Sequence, residues 1–160
     1  MSKIQHAIAI GSDHAGVELK AALGRHLEAA GYRVIDKGPF DGASVDYPDY
    51  AAAVARGVRD GEAARGILIC GTGIGMSIAA NKVRGVRAAL VHDPLTASLA
   101  AEHNNANVLC FGARLHAEAY ALTMVDHWLG ASFEPRHERR VDKIHAIETA
   151  EAEMSRGARP

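Results

Sequence analysis

Short apolar runs alternate with segments of helical periodicity along this chain, and that alternation limits its architecture more than any other feature. Ile4 to Ile10 reads as a first buried strand, closed by Gly11. Ser12-Asp13-His14-Ala15-Gly16 makes a turn, after which Val17, Leu19, Leu23 and Leu27 recur at helical spacing until Gly31. Tyr32 to Asp36 is a second strand, and Lys37 to Val45 is a loop of Gly, Pro, Asp and Ser. Asp46-Tyr47-Pro48 opens a helix that runs through Tyr50, Val54 and Val58 and stops at Gly61. Gly66 to Cys70 is a third strand, followed by a glycine turn and a helix through Asn81-Lys82. Val86 to Val91 is a fourth strand, with a helix from Pro94, a comfortable first-turn position, to about His103. Asn107 to Phe111 is a fifth strand, and the helix after it runs from Ala117 to Leu129 and ends at Gly130. A final charged helix starts near His137 and frays before Gly157.

Strands that alternate with helices predict a parallel sheet covered on both faces. The expected fold class is α/β: a three-layer αβα sandwich on a five-stranded parallel sheet, Rossmann/flavodoxin-like, plus a C-terminal helix. The chain has 160 residues and shows no repeat, linker or low-complexity segment, so one domain spanning 1–160 is expected. In such sheets ligands bind beyond the carboxyl ends of the strands, where the strand order reverses. The flavodoxin-like order 2-1-3-4-5 places that reversal between the first and third strands. The two most unusual turns, Ser12-Asp13-His14 and Cys70 to Gly75, follow those two strands.

Composition narrows the partners. A net charge of -1 argues against nucleic acid or an anionic membrane as the main partner. Cys70 and Cys110 end apolar runs rather than framing a disulfide scaffold, which fits a reducing cytoplasm. No apolar run approaches a membrane span, and Met1 to His6 lacks a signal-peptide pattern, so a cytoplasmic location is expected.

The stretch Ile69-Cys70-Gly71-Thr72-Gly73-Ile74-Gly75 joins a strand to a helix N-terminus. Backbone N–H groups there lack intrahelical partners and lie at the positive end of the helix dipole, so the turn attracts anions. Met76 stands where a dinucleotide fingerprint would have its last glycine, but Asp93 keeps a nucleotide-binding reading open. A thiol at Cys70 suits a nucleophile or a base, and the motif alone does not decide between them. Asp13-His14 suits sugar hydroxyls and a phosphate, while Asp13 also reads as a helix cap. His103-Asn104-Asn105 closes a helix with a side chain whose ordinary pKa suits an acid. Arg114 follows the fifth strand, and Arg136 and Arg140 lie four apart, a spacing that suits a phosphate dianion or a solvated charge run paired with Glu134, Glu138 and Asp142. His6, His26, His92, His116, His127 and His145 show no metal-ligand spacing.

Taken together, Gly11-Ser12-Asp13-His14-Ala15-Gly16, Asp46-Tyr47-Pro48, the Cys70 turn, Ala79-Ala80-Asn81-Lys82, His103-Asn104-x-x-Asn107-Val108-Leu109 and Arg136-His137-x-x-Arg140-Val141 closely resemble the ribose-5-phosphate isomerase B family. That family's wider circle holds allose- and galactose-6-phosphate isomerases. The resemblance runs from about Ile4 to Glu148 and implies an aldose–ketose isomerase working through an enediolate, with no metal or organic cofactor. It implies Cys70 as base, His103 as ring-opening acid, Asp13 on the sugar hydroxyls and Thr72 among the catalytic groups. Gly71, Thr72, Gly73, Ile74 and Gly75 would donate N–H groups to the enediolate. Asn104 would bind the sugar end, Tyr47 would line the pocket, and His14, Arg114, Arg136 and Arg140 would hold the phosphate. Some members place a glutamate base just after the glycine turn; here that position is Met76, so the chain resembles the cysteine branch. The resemblance also implies a homodimer with a shared site and the C-terminal helix, about 137–155, packed on the partner.

The expected reaction interconverts D-ribose 5-phosphate and D-ribulose 5-phosphate. Alternatives are an isomerase of a six-carbon or four-carbon sugar phosphate, a nucleotide- or flavin-binding module, and a thiol hydrolase or phosphatase.

Overall fold

Strand β3 (Arg65–Cys70) lies at the centre of the sheet because its sequence leaves nothing for solvent: from Gly66 to Cys70 every residue is buried. A computed structural model gives the architecture and describes residues 7–157. Ile4, Gln5 and His6, where the first strand was expected to start, lie outside the described residues, and β1 is Ala7–Ser12. The sheet continues with β2 (Arg33–Asp36), β4 (Ala88–Leu90) and β5 (Val108–Gly112), and all four pairings are parallel. Six α-helices fill the connections and the C-terminal end: α1 (Val17–Ala29), α2 (Tyr47–Arg59), α3 (Ile74–Ala80), α4 (Pro94–Asn104), α5 (Glu118–Gly130) and α6 (Glu138–Gly157). None of the described helices is long and apolar enough to cross a membrane.

Period-two alternation along the strands builds two cores. Ile8, Ile10, Ile67, Ile69, Leu109 and Phe111 face one layer, where Leu23, Leu27, Met124 and Trp128 pack. Ala7, Ala9, Leu68, Cys70, Val108 and Cys110 face the other, against Val54, Met76 and Ala80. Small residues on this second face let α2 approach closely; a Cβ at Gly66 would stand 2.7 Å from Val54. Cys70 therefore points into the α2–α3 layer, at the carboxyl edge of the sheet.

The strand order is β2-β1-β3-β5-β4, not the expected 2-1-3-4-5. Burial accounts for the exchange. All five residues of β5 are buried, so it needs neighbours on both sides. The half-buried β4, three residues rather than the six from Val86 to Val91, suits an edge. The reversal between β1 and β3 survives this change, and it still marks the crevice where the two unusual turns meet.

Helix α6 is held to the segment before β4 by polar contacts. The Gly85 N–H donates to Glu148 at 2.8 Å, and Arg87 meets His145 at 2.8 Å. Ile144 and Ile147 on α6 remain exposed.

Candidate active site

At the carboxyl ends of β1 and β3 the backbone itself joins the two turns. The Asp13 N–H donates to the Ile69 carbonyl at 3.0 Å, which fixes Asp13 one strand away from Cys70. The Asp13 carboxylate accepts from the Ala15 N–H at 2.9 Å and caps the 3-10 turn His14–Gly16. His14 Nδ1 meets the Val45 N–H at 3.5 Å and draws the preceding loop toward this crevice.

Cys70 is buried, and the Gly73 N–H donates to its sulfur at 3.0 Å. That contact needs a left-handed backbone at Gly73, where φ is 82°. A Cβ there would sit 2.8 Å from the Phe111 backbone, so glycine is required twice over. The Ile74 N–H turns toward Thr72 Oγ1 at 3.4 Å. Gly73 and Ile74 thus commit their N–H groups within the turn, to the sulfur and to Thr72. Gly75 is the second residue of α3, in the first turn, where a helix offers no intrahelical carbonyl to its N–H. A Cβ on Gly75 would meet the Tyr47 ring at 2.6 Å, and one on Gly71 would meet the Arg114 guanidinium at 3.2 Å. Tyr47, from the start of α2, and Arg114, after β5, therefore flank the turn on its two sides. Met76, directly below, is fully buried in the core. Cys110 shares this layer, but burial pushes its thiol well up and keeps it a neutral core residue.

A second polar cluster lies at the end of α4. His103 and Asn104 occupy its last turn, and the Glu134 N–H anchors the following segment to the Glu102 carbonyl at 2.9 Å. The His103 and His137 rings lie 4.3 Å apart. Glu134 Oε2 accepts from Arg136 Nε at 2.6 Å, and Arg140 Nη1 donates to His137 Nδ1 at 2.8 Å. The Arg136 hydrogen bond holds the Glu134 carboxyl below the usual range. Burial, then the charges of Arg136, His103 and Arg140, push the His137 imidazole down. Sequence reasoning gave Glu134 only as a counter-ion and passed over His137. The three-residue step from His137 to Arg140, one helical turn, was the available signal.

The two clusters do not meet within one chain. Cys70 pairs with Gly112 at the carboxyl end of β5, whereas α4 runs back and delivers His103 before Val108, the amino end of that strand. Asn105, just past α4, accepts from Arg87 at 2.9 Å, ahead of β4. The strand from Val108 to Gly112 alone separates the two levels by about 13 Å. One chain brings Asp13, His14, Tyr47, Cys70 to Gly75 and Arg114 to one edge. It brings His103, Asn104, Arg136 and Arg140 to the other.

His103, Glu134 and His137 offer three ligand atoms within 4.8 Å of one another. Arg136 already occupies the carboxylate, and Arg140 on Nδ1 leaves the His137 proton on Nε2, facing inward. Two guanidinium groups would repel a cation there, so the donor set does not fit a metal. Asp93 does not serve a nucleotide ribose either: its carboxylate accepts from the Thr96 N–H at 2.8 Å and caps α4.

Known proteins are similar to this chain over most of its length. A family described as ribose/galactose isomerase matches residues 8–144, from β1 into α6. The chain belongs to the ribose/galactose isomerase family. It is an aldose–ketose isomerase. Ribose-5-phosphate isomerase B of Escherichia coli strain K12 is 50% identical over 142 residues, covering 88% of this chain and 95% of that one. The solved ribose-5-phosphate isomerase B of Clostridium thermocellum superimposes with a TM-score of 0.88 at 50% identity, over 90% of this chain and 98% of that one. The Mycoplasma genitalium enzyme of the same name, solved with bound ribulose 5-phosphate, gives a TM-score of 0.86 at 46% identity, over 89% and 96% of the two chains. The matched span includes both clusters, from Asp13 to Arg140.

Proposed function

We propose that this family member interconverts D-ribose 5-phosphate and D-ribulose 5-phosphate, with Cys70 as the base and His103 as the ring-opening acid. The observation that carries the reading is the Cys70 sulfur held at the end of β3 inside a glycine turn, with Asp13 one strand away. His103 protonates the ring oxygen as the bond from C1 to that oxygen breaks, while the C1 hydroxyl gives its proton to water and becomes the carbonyl of the open chain. Cys70 thiolate then takes the C2 proton, and the released electron pair forms the C1–C2 double bond of an enediolate. N–H groups of the turn, Gly71, Thr72 and Gly75 foremost, stabilise the oxyanion. The Thr72 hydroxyl passes a proton between the two oxygens, and Cys70 returns its proton to C1. A charged phosphate several bonds away supplies the binding energy that holds these carbons in place.

The separation of the two clusters supports a shared site. In a two-fold dimer the His103 end of one copy meets the Cys70 end of the other, which gives two complete sites. Asn104, Arg136 and Arg140 then come from the copy that supplies His103. His14 and Arg114 close on the phosphate from the Cys70 side. The exposed Ile144 and Ile147 on α6 fit the same contact.

Two experiments test this. A coupled assay with four-, five- and six-carbon sugar phosphates should show turnover dominated by ribose 5-phosphate; a preference for a six-carbon aldose would replace the substrate. Cys70→Ala and His103→Ala should each be inactive. Unfolded and refolded together, they should recover about a quarter of wild-type activity, because half the dimers are mixed and each of those has one intact site. No recovery from a mixture that forms dimers would place the base and the acid on one chain.

A further inference from the structure

Three nitrogen atoms compete for a single carboxylate oxygen in the second cluster. Glu134 Oε2 accepts from Arg136 Nε at 2.6 Å. The His137 Nε2 stands 3.5 Å from the same oxygen, and the His103 Nε2 stands 3.9 Å from it. Only the arginine is at full hydrogen-bond distance. The His137 Nε2 is buried with no hydrogen-bond partner at all. Glu134 itself is not free to drift, because its N–H is tied to the Glu102 carbonyl, next to His103. The carboxylate is thus anchored beside the proposed acid but occupied by a phosphate-binding group.

We propose that Glu134 is a positioning residue that exchanges Arg136 for His103 when the substrate phosphate binds. This rests on the isomerase reading above. In the structure Arg136 neutralises the carboxylate. A phosphate dianion draws Arg136 away, since a guanidinium grips its oxygens bidentately. It draws Arg140 off His137 Nδ1 by the same attraction. The freed Glu134 oxygen then closes on the His103 N–H, with the His137 ring packed behind it. That contact orients the imidazole for the proton donation that the ring-opening step requires. All the charged groups facing His103 take part: Glu134, Arg136 and His137 from the segment before α6, and Arg140 from its first turn. The acid is fully set only when a phosphorylated substrate is in place.

The exchange predicts effects of opposite sign in one variant. Glu134→Gln keeps the shape and removes the charge. Arg136 is then unclaimed, so inorganic phosphate should bind the full-length protein at least about threefold more tightly by titration calorimetry. Turnover of ribose 5-phosphate should fall about tenfold or more, the loss of one charged hydrogen bond. Glu134→Asp should restore part of the turnover. A structural role alone would weaken phosphate binding and lower kcat together. Phosphate binding that is unchanged or weaker in Glu134→Gln overturns the exchange, as does a kcat within twofold of wild type. The side chain is partly exposed, so the substitution is tolerated in the fold. The two readings fail separately. A protein with no sugar-phosphate isomerisation but tighter phosphate binding in Glu134→Gln loses the proposed substrate and keeps the exchange of Arg136. An active isomerase whose phosphate affinity does not tighten loses the exchange alone.

Discussion

Gly73 is the position where the glycine turn has least freedom, and Gly73→Ala measures how strictly the Cys70 geometry depends on it. Two penalties add. The residue is left-handed, with φ at 82°, which costs an alanine about 1 kcal/mol. The new Cβ would also stand 2.8 Å from the Phe111 backbone and 2.7 Å from a Leu90 methyl. A strand backbone cannot step aside as a side-chain tip can, so overpacking adds about 1–3 kcal/mol. The sum, about 2–4 kcal/mol, should lower the midpoint of thermal unfolding by roughly 10 °C for a chain of this length. Gly31 supplies the control. Its φ of 90° is similar, but nothing lies within 4 Å of a Cβ built there. Gly31→Ala should therefore cost only the conformational part, about 1 kcal/mol or roughly 3 °C. Calorimetry at one fixed protein concentration reads both, since association would otherwise shift the midpoints. Gly73→Ala should also lower kcat, because relief of the clash moves the N–H that lies on the Cys70 sulfur. Equal melting shifts for the two variants, or an unchanged kcat in Gly73→Ala, would refute the argument that backbone contact with β5 holds the turn.

Asp36→Ala should destabilise the protein by about 3 kcal/mol in denaturant titrations, because it strips the carboxylate from the fully buried Lys20; adding Lys20→Met should recover most of that loss. Arg140→Ala should raise KM for the phosphorylated sugar about tenfold or more while changing kcat less, and an unchanged KM would place the phosphate elsewhere. The imidazoles of His137 and His116 are both pushed down by burial, so the unfolded chain binds more protons than the folded one below the ordinary histidine range. The stability these groups contribute is present above that range and is lost as pH falls. Melting midpoints should drop from about pH 7 to about pH 5, and His116→Gln should flatten the slope.

Pairing order is where sequence and structure part. The apolar run from Val108 to Phe111 and the weaker one from Val86 to Val91 both read as strands. Nothing in a periodic pattern states which of them lies beside β3. The answer lies in how many faces each can afford to bury: Val108 to Gly112 is closed to solvent, while Ala88 to Leu90 is half open. Compositional contrast between two strands is a weak signal, and tertiary packing decides it. The crevice between β1 and β3 was legible because its neighbours precede that ambiguity in the chain. Asp13 shows the capping role read for it, one carboxylate oxygen accepting from the Ala15 N–H of the 3-10 turn. The Glu134–His137 network was not legible. It depends on a fold-back that sets Glu134 against Glu102, far away in sequence, and no spacing rule covers such a contact.

The two-ended distribution of the polar residues follows from the architecture. In a right-handed strand–helix–strand unit the strand releases the chain at one edge of the sheet, and the helix returns it to the other. Residues placed directly after strands, such as Asp13, Cys70 and Arg114, share the carboxyl edge by construction. Residues in the last turn of a helix, such as His103 and Asn104, are sent to the opposite edge by the same construction. A single sheet therefore cannot bring a base after β3 and an acid at the end of α4 to one substrate. Two copies related by a two-fold axis can, and each contact then forms twice. In the dimer proposed above, base and oxyanion turn would come from one copy, and the acid and an arginine pair from the other. On this reading the Glu134–Arg136 contact lies wholly within the second half-site, so the acid can respond to phosphate before the thiol acts on carbon.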